Sequence, residues 1–198
     1  MQPQSHVRKL ILASSSPYRK LLLERLQLPF EATAPAIDES PLPGESPSAL
    51  VARLAARKAA VVAARNPAAV VIGSDQVAIH RARIVGKPGT TERAREQLAA
   101  FSGDSVEFLT AVSVQCRETG QQHDRTVITE VAFRTLTADE IRRYVRLDRP
   151  LDCAGAFRSE AAGGALLRYM RSDDPSAIVG LPLIAVAAAL REAGFAVP

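Results

Sequence analysis

The sequence contains no tryptophan and only three tyrosines and six phenylalanines among its 198 residues. That scarcity removes the row of stacking platforms on which single-stranded nucleic-acid binders rest. Cysteine is almost absent too: Cys116 and Cys153 have no metal-like spacing and no histidine cluster beside them. A disulfide scaffold and a cysteine-ligated zinc site are therefore excluded, and two ordinary thiols in a reduced, cytoplasmic protein are expected. No apolar run is long enough to span a bilayer. The strongest, Ile178 to Leu190, is thirteen residues long and contains Pro182, so it reads as a buried helix. Met1 to Lys9 is polar with no signal-like apolar segment after it, so export is not expected. A block of one charge sign is also missing. Lysine and arginine (25) outnumber aspartate and glutamate (21) for a net charge of +4, but they are spread along the chain. This balance favours an anionic ligand or a generally basic surface, with neither a membrane nor a stable nucleic-acid partner.

What is present describes a folded protein. Hydrophobic residues make up 47% and charged residues 23% of a chain long enough for one domain over 1–198, with a core at 8–194 and a flexible 1–7. Its organising stretch is Leu10-Ile11-Leu12-Ala13-Ser14-Ser15-Ser16-Pro17-Tyr18-Arg19, an apolar run that stops at three hydroxyls, a proline and a cation. A buried strand feeding a helix is predicted, with Ser16 as N-cap and Pro17 at the first helical position. The turn leaves N–H groups and hydroxyls outward at the positive end of the helix, next to Arg19, which suits a phosphate. A capped helix with no ligand has the same signature.

Further on, Leu21 to Leu26 continue that helix to near Leu28-Pro29, and Phe30 to Ala34 reads as a short strand. Pro35 to Pro47 is a proline-rich ordered loop around Asp38-Glu39, a second Ser-Pro start at Ser46-Pro47 opens a helix to Arg65, and Ala69 to Ile72 is a strand ending at Gly73-Ser74-Asp75-Gln76. Val77–Ile79 and Ile84-Val85 flank a hairpin turn, and Thr91 is expected to cap a helix running to Phe101. Strands are predicted over 105–114 and 126–134. Thr137 to Glu140 is a capping box opening a helix to about Leu147, the glycine-rich 152–164 is turn-like, and a helix from about Pro182 to Gly194 closes the chain.

Three kinds of polar group recur beside these elements: hydroxyls with Arg19, carboxylates at Asp38, Glu39 and Asp75, and ammonium groups at Lys58 and Lys87. Phosphoryl chemistry needs that mixture, because cations neutralise phosphate oxygens while carboxylates hold a divalent metal and position water. Each has an ordinary alternative. Asp75 is also a turn residue, Glu39 a solvated acid, Lys58 a solvated helix cation, Lys87 part of a turn, and Glu160 beside Arg158 a surface ion pair.

Taken in order, Ser14-Ser15-Ser16-Pro17-Tyr18-Arg19, Asp38-Glu39, Lys58-Ala59, Gly73-Ser74-Asp75-Gln76-Val77, Gly86-Lys87-Pro88, Thr110-Ala111-Val112 and Gly180-Leu181-Pro182-Leu183 resemble the Maf family of nucleoside triphosphate pyrophosphatases. The resemblance covers about Lys9 to Gly194. It implies an α/β fold of the Maf and inosine-triphosphatase type, an elongated mixed sheet flanked by helices with a central cleft between two lobes. It implies cleavage between the α- and β-phosphates of a nucleoside triphosphate with a divalent metal, magnesium or manganese, and a homodimer as a family expectation. By position, Asp75 matches the catalytic proton acceptor, and Ser14, Ser16, Arg19, Lys58 and Lys87 match the phosphate-contacting cleft. Glu39, or Asp38 beside it, pairs with Asp75 at the metal. A metal-bound carboxylate is a weak base, so Asp75 either takes a proton or orients the water.

Members acting on dTTP and UTP usually carry arginine after Ser-Pro, threonine after the catalytic aspartate and glutamine in the C-terminal turn. Here the residues are Tyr18, Gln76 and Glu160. That departure, with Asp152-Cys153-Ala154-Gly155 and Phe157-Arg158-Ser159-Glu160, resembles the branch that hydrolyses N7-methyl-GTP and so removes a modified nucleotide from the pool. The chemistry agrees: guanine presents two N–H donors that an ionised Glu160 can accept, and the methylated base is cationic, so a Tyr18 face adds a cation–π term of roughly 0.5–2 kcal/mol. A dTTP/UTP pyrophosphatase and a non-catalytic nucleotide-binding regulator are the alternatives.

Overall fold

In the computed structural model, which describes residues 8–197, β1 (Leu10–Ala13) is buried along its whole length. It is apolar throughout because parallel neighbours flank both edges, β2 (Glu31–Ala32) on one side and β3 (Val70–His80) on the other. The expected flexibility of 1–7 falls outside the described residues. Antiparallel pairing continues through β5 (Ser105–Cys116), β6 (Gln121–Phe133) and β7 (Leu167–Ser172), giving the order β2-β1-β3-β5-β6-β7, with β4 (Arg83–Val85) also on β3. Five helices flank this open mixed sheet: α1 (Pro17–Glu24), α2 (Pro47–Arg65), α3 (Thr91–Phe101), α4 (Ala138–Asp148) and α5 (Leu183–Glu192). The α/β class and the elongated mixed sheet are as expected. No helix among the described residues is long and apolar enough to cross a membrane.

β3 opens the cleft. One of its edges is paired with β5 from Val71 to Ile79. The other is shared: β1 pairs it up to Gly73, and β4 takes over only at Ala78. Ser74 to Val77 therefore lie in a gap on an otherwise covered edge, just past the carboxyl end of parallel β1, where open α/β sheets place their ligands. The apolar core divides on either side of this gap. Leu10, Leu12, Leu22, Leu23, Val186 and Leu190 pack under α1 and α5. Phe101, Phe108, Phe133 and Phe157 form the centre of the other cluster, with α3 and α4.

α2 lies very close to β3. A methyl group at Gly73 would sit 2.2 Å from the Ala55 carbonyl oxygen and 2.6 Å from the Ala59 nitrogen, so only glycine admits the helix at this depth. The loop before α2 is ordered by a fork: Arg53 meets both carboxylate oxygens of Glu45, at 2.6 and 2.7 Å, and donates to the Ser40 carbonyl at 3.1 Å. That cation holds the Glu45 carboxyl down at about 2, against an ordinary 4.5.

Several boundaries depart from the sequence reading. β3 does not stop at Gly73, because the turn-like Ser74, Asp75 and Gln76 each find a partner for their side chain across the strand. α1 ends at Glu24 rather than near Leu28. Thr90, not Thr91, caps α3, and Thr91 is its first helical residue. The hairpin turns on Arg81 and Ala82, both with positive φ (48° and 61°), a type I′ geometry without its usual glycine or asparagine. β6 begins at Gln121, five residues before the expected start, because the polar 121–125 still pair with β5. The edge strand β7 was not expected: its residues are mostly exposed and polar, and carry no core-facing alternation.

Two outcomes follow from this packing. Gly73→Ala is expected to lower unfolding stability by about 1–3 kcal/mol or more, read from urea denaturation, since the added methyl meets backbone on α2. The depressed Glu45 carboxyl stabilises the fold fully above its unfolded value of 4.5, and that contribution is lost as pH falls toward 2. Glu45→Gln should therefore lose stability relative to the parent at pH 6 and converge with it near pH 2, measured by thermal unfolding across that range.

Candidate functional site

The strand β1 delivers its last residue into the turn Ser14-Ser15-Ser16, and α1 starts at once. The Ser16 hydroxyl caps the helix by accepting from the Arg19 amide at 3.4 Å, and the Ser16 amide donates to the Ser14 hydroxyl oxygen at 3.1 Å. Arg19 reaches back across the turn. Its Nε donates to the Gly180 carbonyl at 2.9 Å and a terminal nitrogen lies 3.4 Å from Ser14 Oγ. Burial lowers its affinity for the proton while Asp75 and Glu39 hold the charge on it.

On the opposite wall, Lys58 of α2 is 5% exposed and bridges two carboxylates. Its Nζ is 2.6 Å from Asp75 Oδ1 and 2.8 Å from Glu39 Oε1. Asp75 can meet α2 because it lies two residues from Gly73 on the same face of β3, the face α2 covers. Ser74 and Gln76 point the other way. Ser74 Oγ lies 2.8 Å from both the Ala111 and Gly180 carbonyls, and the Gln76 amide donates to Thr110 Oγ1 and to the carbonyls of Ala177 and Ile178. The 177–180 turn is thereby fixed as a wall of the site.

A cavity of about 460 Å³ gathers Ser14, Ser16, Tyr18, Arg19, Glu39, Lys58, Asp75, Gln76 and Lys87. A smaller hollow of about 100 Å³ adjoins it, sharing Ser16, Tyr18, Arg19, Gln76, Lys87 and Asp152 and adding Cys153, Phe157 and Glu160. All ten residues singled out from the sequence therefore border one continuous depression. Of the two neighbouring acids, Glu39 faces it, while Asp38 turns away and accepts from the Ser40 amide at 2.9 Å. Lys58, read as a possible solvated cation, is buried.

The end near Glu160 differs from the sequence picture in one respect. Arg158 places its guanidinium 5.2 Å from the centre of the Tyr18 ring and donates from Nε to Glu160 Oε1 at 3.1 Å. It also donates to the Asp148 carbonyl at 3.1 Å, and its amide donates to the Tyr144 hydroxyl at 2.9 Å. One face of Tyr18 and one oxygen of Glu160 thus already have a cation. Asp152 accepts from the Tyr18 hydroxyl at 3.3 Å. Burial and this carboxylate push the Cys153 thiol up to about 12, which removes it as a nucleophile.

The sequence reading gave no site role to Ser74, Thr110, Asp152 or Arg53. Ser74 and Thr110 stand within the quoted motifs, but their signal is a buried hydroxyl bonded to a distant carbonyl, which no local pattern carries. Glu39 and Asp75 are hard oxygen donors brought to one ammonium, a set that suits an oxygen-seeking divalent cation completed by water and phosphate oxygens. No cluster of three or more histidine, cysteine or acidic side chains occurs among the described residues, so an all-protein metal cage is not built here.

Comparison with known proteins agrees with this geometry. Residues 9–193 match the family described as Maf-like protein. The chain is 55% identical over 190 residues to a 7-methyl-GTP pyrophosphatase of Xanthomonas axonopodis pv. citri, covering 96% of this chain and 99% of that one. It is 54% identical over 190 residues to the 7-methyl-GTP pyrophosphatase of Aromatoleum aromaticum, with 96% and 98% covered. For the protein of the same name from Nitrosococcus oceani the figures are 52% over 188 residues, with 95% and 94% covered. A match that spans the whole sheet, the cleft and the helices around both places this chain in the Maf family.

Proposed function

We propose that this protein is a nucleoside triphosphate pyrophosphatase that hydrolyses N7-methyl-GTP to N7-methyl-GMP and pyrophosphate. The observation that carries the reading is the buried Asp75–Lys58 pair, bridged outward to the exposed Glu39 and set in the same cavity as the hydroxyls of Ser14 and Ser16, Arg19 and Lys87. Relatives more than 50% identical over nearly the whole chain bear the name of that activity, which supports it.

In this reading the Ser14–Arg19 turn and Lys87 hold the phosphate chain, with donors that are fixed before substrate arrives. Asp75 orients the water that adds to the α-phosphorus and accepts the proton that this water loses. The bond from that phosphorus to the bridging oxygen breaks, and pyrophosphate departs with the bonding pair. Lys58 holds Asp75 in place at 2.6 Å and restrains Glu39 on its loop at 2.8 Å. A magnesium- or manganese-class cation, held by Glu39 and Asp75, would supply further neutralisation of the phosphate oxygens.

The smaller hollow then takes the base. Glu160 accepts from the N–H donors of guanine, and Arg158 steadies the carboxylate through one oxygen, leaving the other toward the hollow. A cationic methylated base stacks on the Tyr18 face that Arg158 does not cover. The unpaired thiols of Cys116 and Cys153 support a reducing, cytoplasmic setting.

The decisive assay is pyrophosphate release from N7-methyl-GTP, GTP, dTTP, UTP and CTP with magnesium or manganese. N7-methyl-GTP should be turned over preferentially, and Asp75→Asn should reduce kcat by about 10²–10⁴ without unfolding the protein. Preference for dTTP or UTP would overturn the base assignment and keep the chemistry. Glu160→Gln should lower the kcat/KM ratio of N7-methyl-GTP over dTTP by roughly 10–100-fold, about 1.5–3 kcal/mol for a hydrogen bond to a charged group. An unchanged ratio would remove Glu160 from base selection.

A further inference from the structure

The basic residues that looked scattered in the sequence are gathered in the fold at a second place. α4 carries Arg142, Arg146 and, at its C-cap, Arg149, spaced four and three residues apart and so on one face, with Arg143 beside them. Arg95 and Thr91 of α3 stand across from them, and the hollow between the two helices measures about 640 Å³. Its lining includes one acid, Asp139, which is already paired with Arg142. Among the described residues, Arg95, Arg143, Arg146 and Arg149 have no ion-pair partner, whereas Arg53, Arg134 and Arg158 are held by Glu45, Glu140 and Glu160. Arg149 joins the lining from a left-handed conformation, φ 45°, that a residue with a side chain seldom adopts.

Uncompensated guanidiniums around one hollow repel each other, and an anion relieves that repulsion. Their planar forks match phosphate oxygens in pairs. No aromatic ring lines the hollow, so it offers a base no aromatic platform. From Arg142 to Arg149 the helix advances about 10 Å at 1.5 Å per residue, which spreads the cations along a line rather than around a single ion. The N-terminal turn of α3, capped by Thr90, closes one side with its positive end.

We propose that the α3–α4 groove binds a linear chain of two or more phosphates, supplied as a free oligophosphate or as the triphosphate tail of a nucleotide, at a site separate from the cleft. The Gly89 amide donates to the Leu151 carbonyl at 2.9 Å, tying the segment before α3, two residues after Lys87, to the segment after α4, one residue before Asp152, and Lys87 and Asp152 both line the cleft. The proposal stands on the groove alone and is independent of the reaction assigned to the cleft.

The test is a titration of the full ¹⁵N-labelled chain with tripolyphosphate, GTP and a short RNA oligomer lacking terminal phosphates. Tripolyphosphate is expected to shift the amides of Thr91 and of residues 142–149. In the R143Q/R146Q/R149Q variant the groove affinity should fall at least tenfold, while the Ser14–Arg19 amides respond as in the parent and the cleft activity is retained. Binding of tripolyphosphate at least tenfold tighter than GTP assigns the free oligophosphate as the ligand, and comparable affinities assign the triphosphate tail. Shifts confined to the cleft, equal groove affinity in the triple variant, or tighter binding of the RNA oligomer than of tripolyphosphate would each overturn the proposal.

Discussion

A single ammonium group sets the geometry on which the cleft depends. Lys58 is almost fully buried, and taking an isolated cation out of water costs several kcal/mol, so it is tolerable there only because Asp75 and Glu39 approach to 2.6 and 2.8 Å. The dependence runs in both directions. Without Lys58, two carboxylates from distant segments would face each other across a desolvated pocket, and Glu39, which is otherwise exposed, would have no reason to stay. Arg19 senses both acids as well. Two cations and two anions thus balance before any ligand arrives, and the remaining cation on the cavity lining, Lys87, is matched by Asp152. A triphosphate brings several negative charges into that balance, and the lining has no net positive charge to meet them. The charge count itself is thus an argument for a divalent cation entering with the substrate.

That arrangement rests in turn on an absence of atoms. Lys58 reaches Asp75 because α2 sits against β3 at a distance that only Gly73 permits. Glu39 reaches Lys58 because the Glu45–Arg53 fork pins the proline-rich loop to the same helix. Helix depth and loop anchoring are properties of the scaffold. Together they place two carboxylate oxygens within hydrogen-bonding distance of one ammonium, which is the precision that phosphoryl chemistry asks of its surroundings.

How much of this was legible from residues alone follows from how local each signal is. The Ser16-Pro17 and Ser46-Pro47 starts and the Thr137–Glu140 capping box are written in consecutive residues, and each caps its helix through the expected side chain. The ordered list of motifs was enough to gather ten residues around one depression. What could not be read were features whose cause is distant. Ser74, Asp75 and Gln76 look like a turn because they are polar. They form a strand because Lys58, Gly180 and the 177–178 carbonyls wait for them from elsewhere. β7 is held to β6 by backbone pairing and by polar side-chain contacts such as Tyr169 to Glu130 and Thr129 to Ser172, and shows no apolar alternation. The position of Arg158 over Tyr18 joins side chains 140 positions apart.

The two halves of the cleft are consequently not independent. Gly180 accepts from Arg19, on the Ser14–Arg19 turn of the cavity, and from Ser74, beside Asp75. A side chain at position 180 would sit 3.3 Å from Arg19 Nε at a φ of 109°, so that carbonyl is available to Arg19 only from glycine. Two and three residues back, the same turn is held by Gln76, whose amide donors are spent on the carbonyls of 177 and 178 and on Thr110. Gln76 was picked out as a residue that reads the base, yet its amide donors are already committed to protein acceptors, so what it supplies in this structure is support of the wall. In the proposed function, direct discrimination then falls to Glu160 and Tyr18, which border the smaller hollow. Arg158 engages both, donating to Glu160 at 3.1 Å and lying 5.2 Å from the centre of the Tyr18 ring, so the two groups are physically coupled. A base that engaged only one of them would leave the other with Arg158 as its partner, so selectivity in that reading depends on satisfying the pair together.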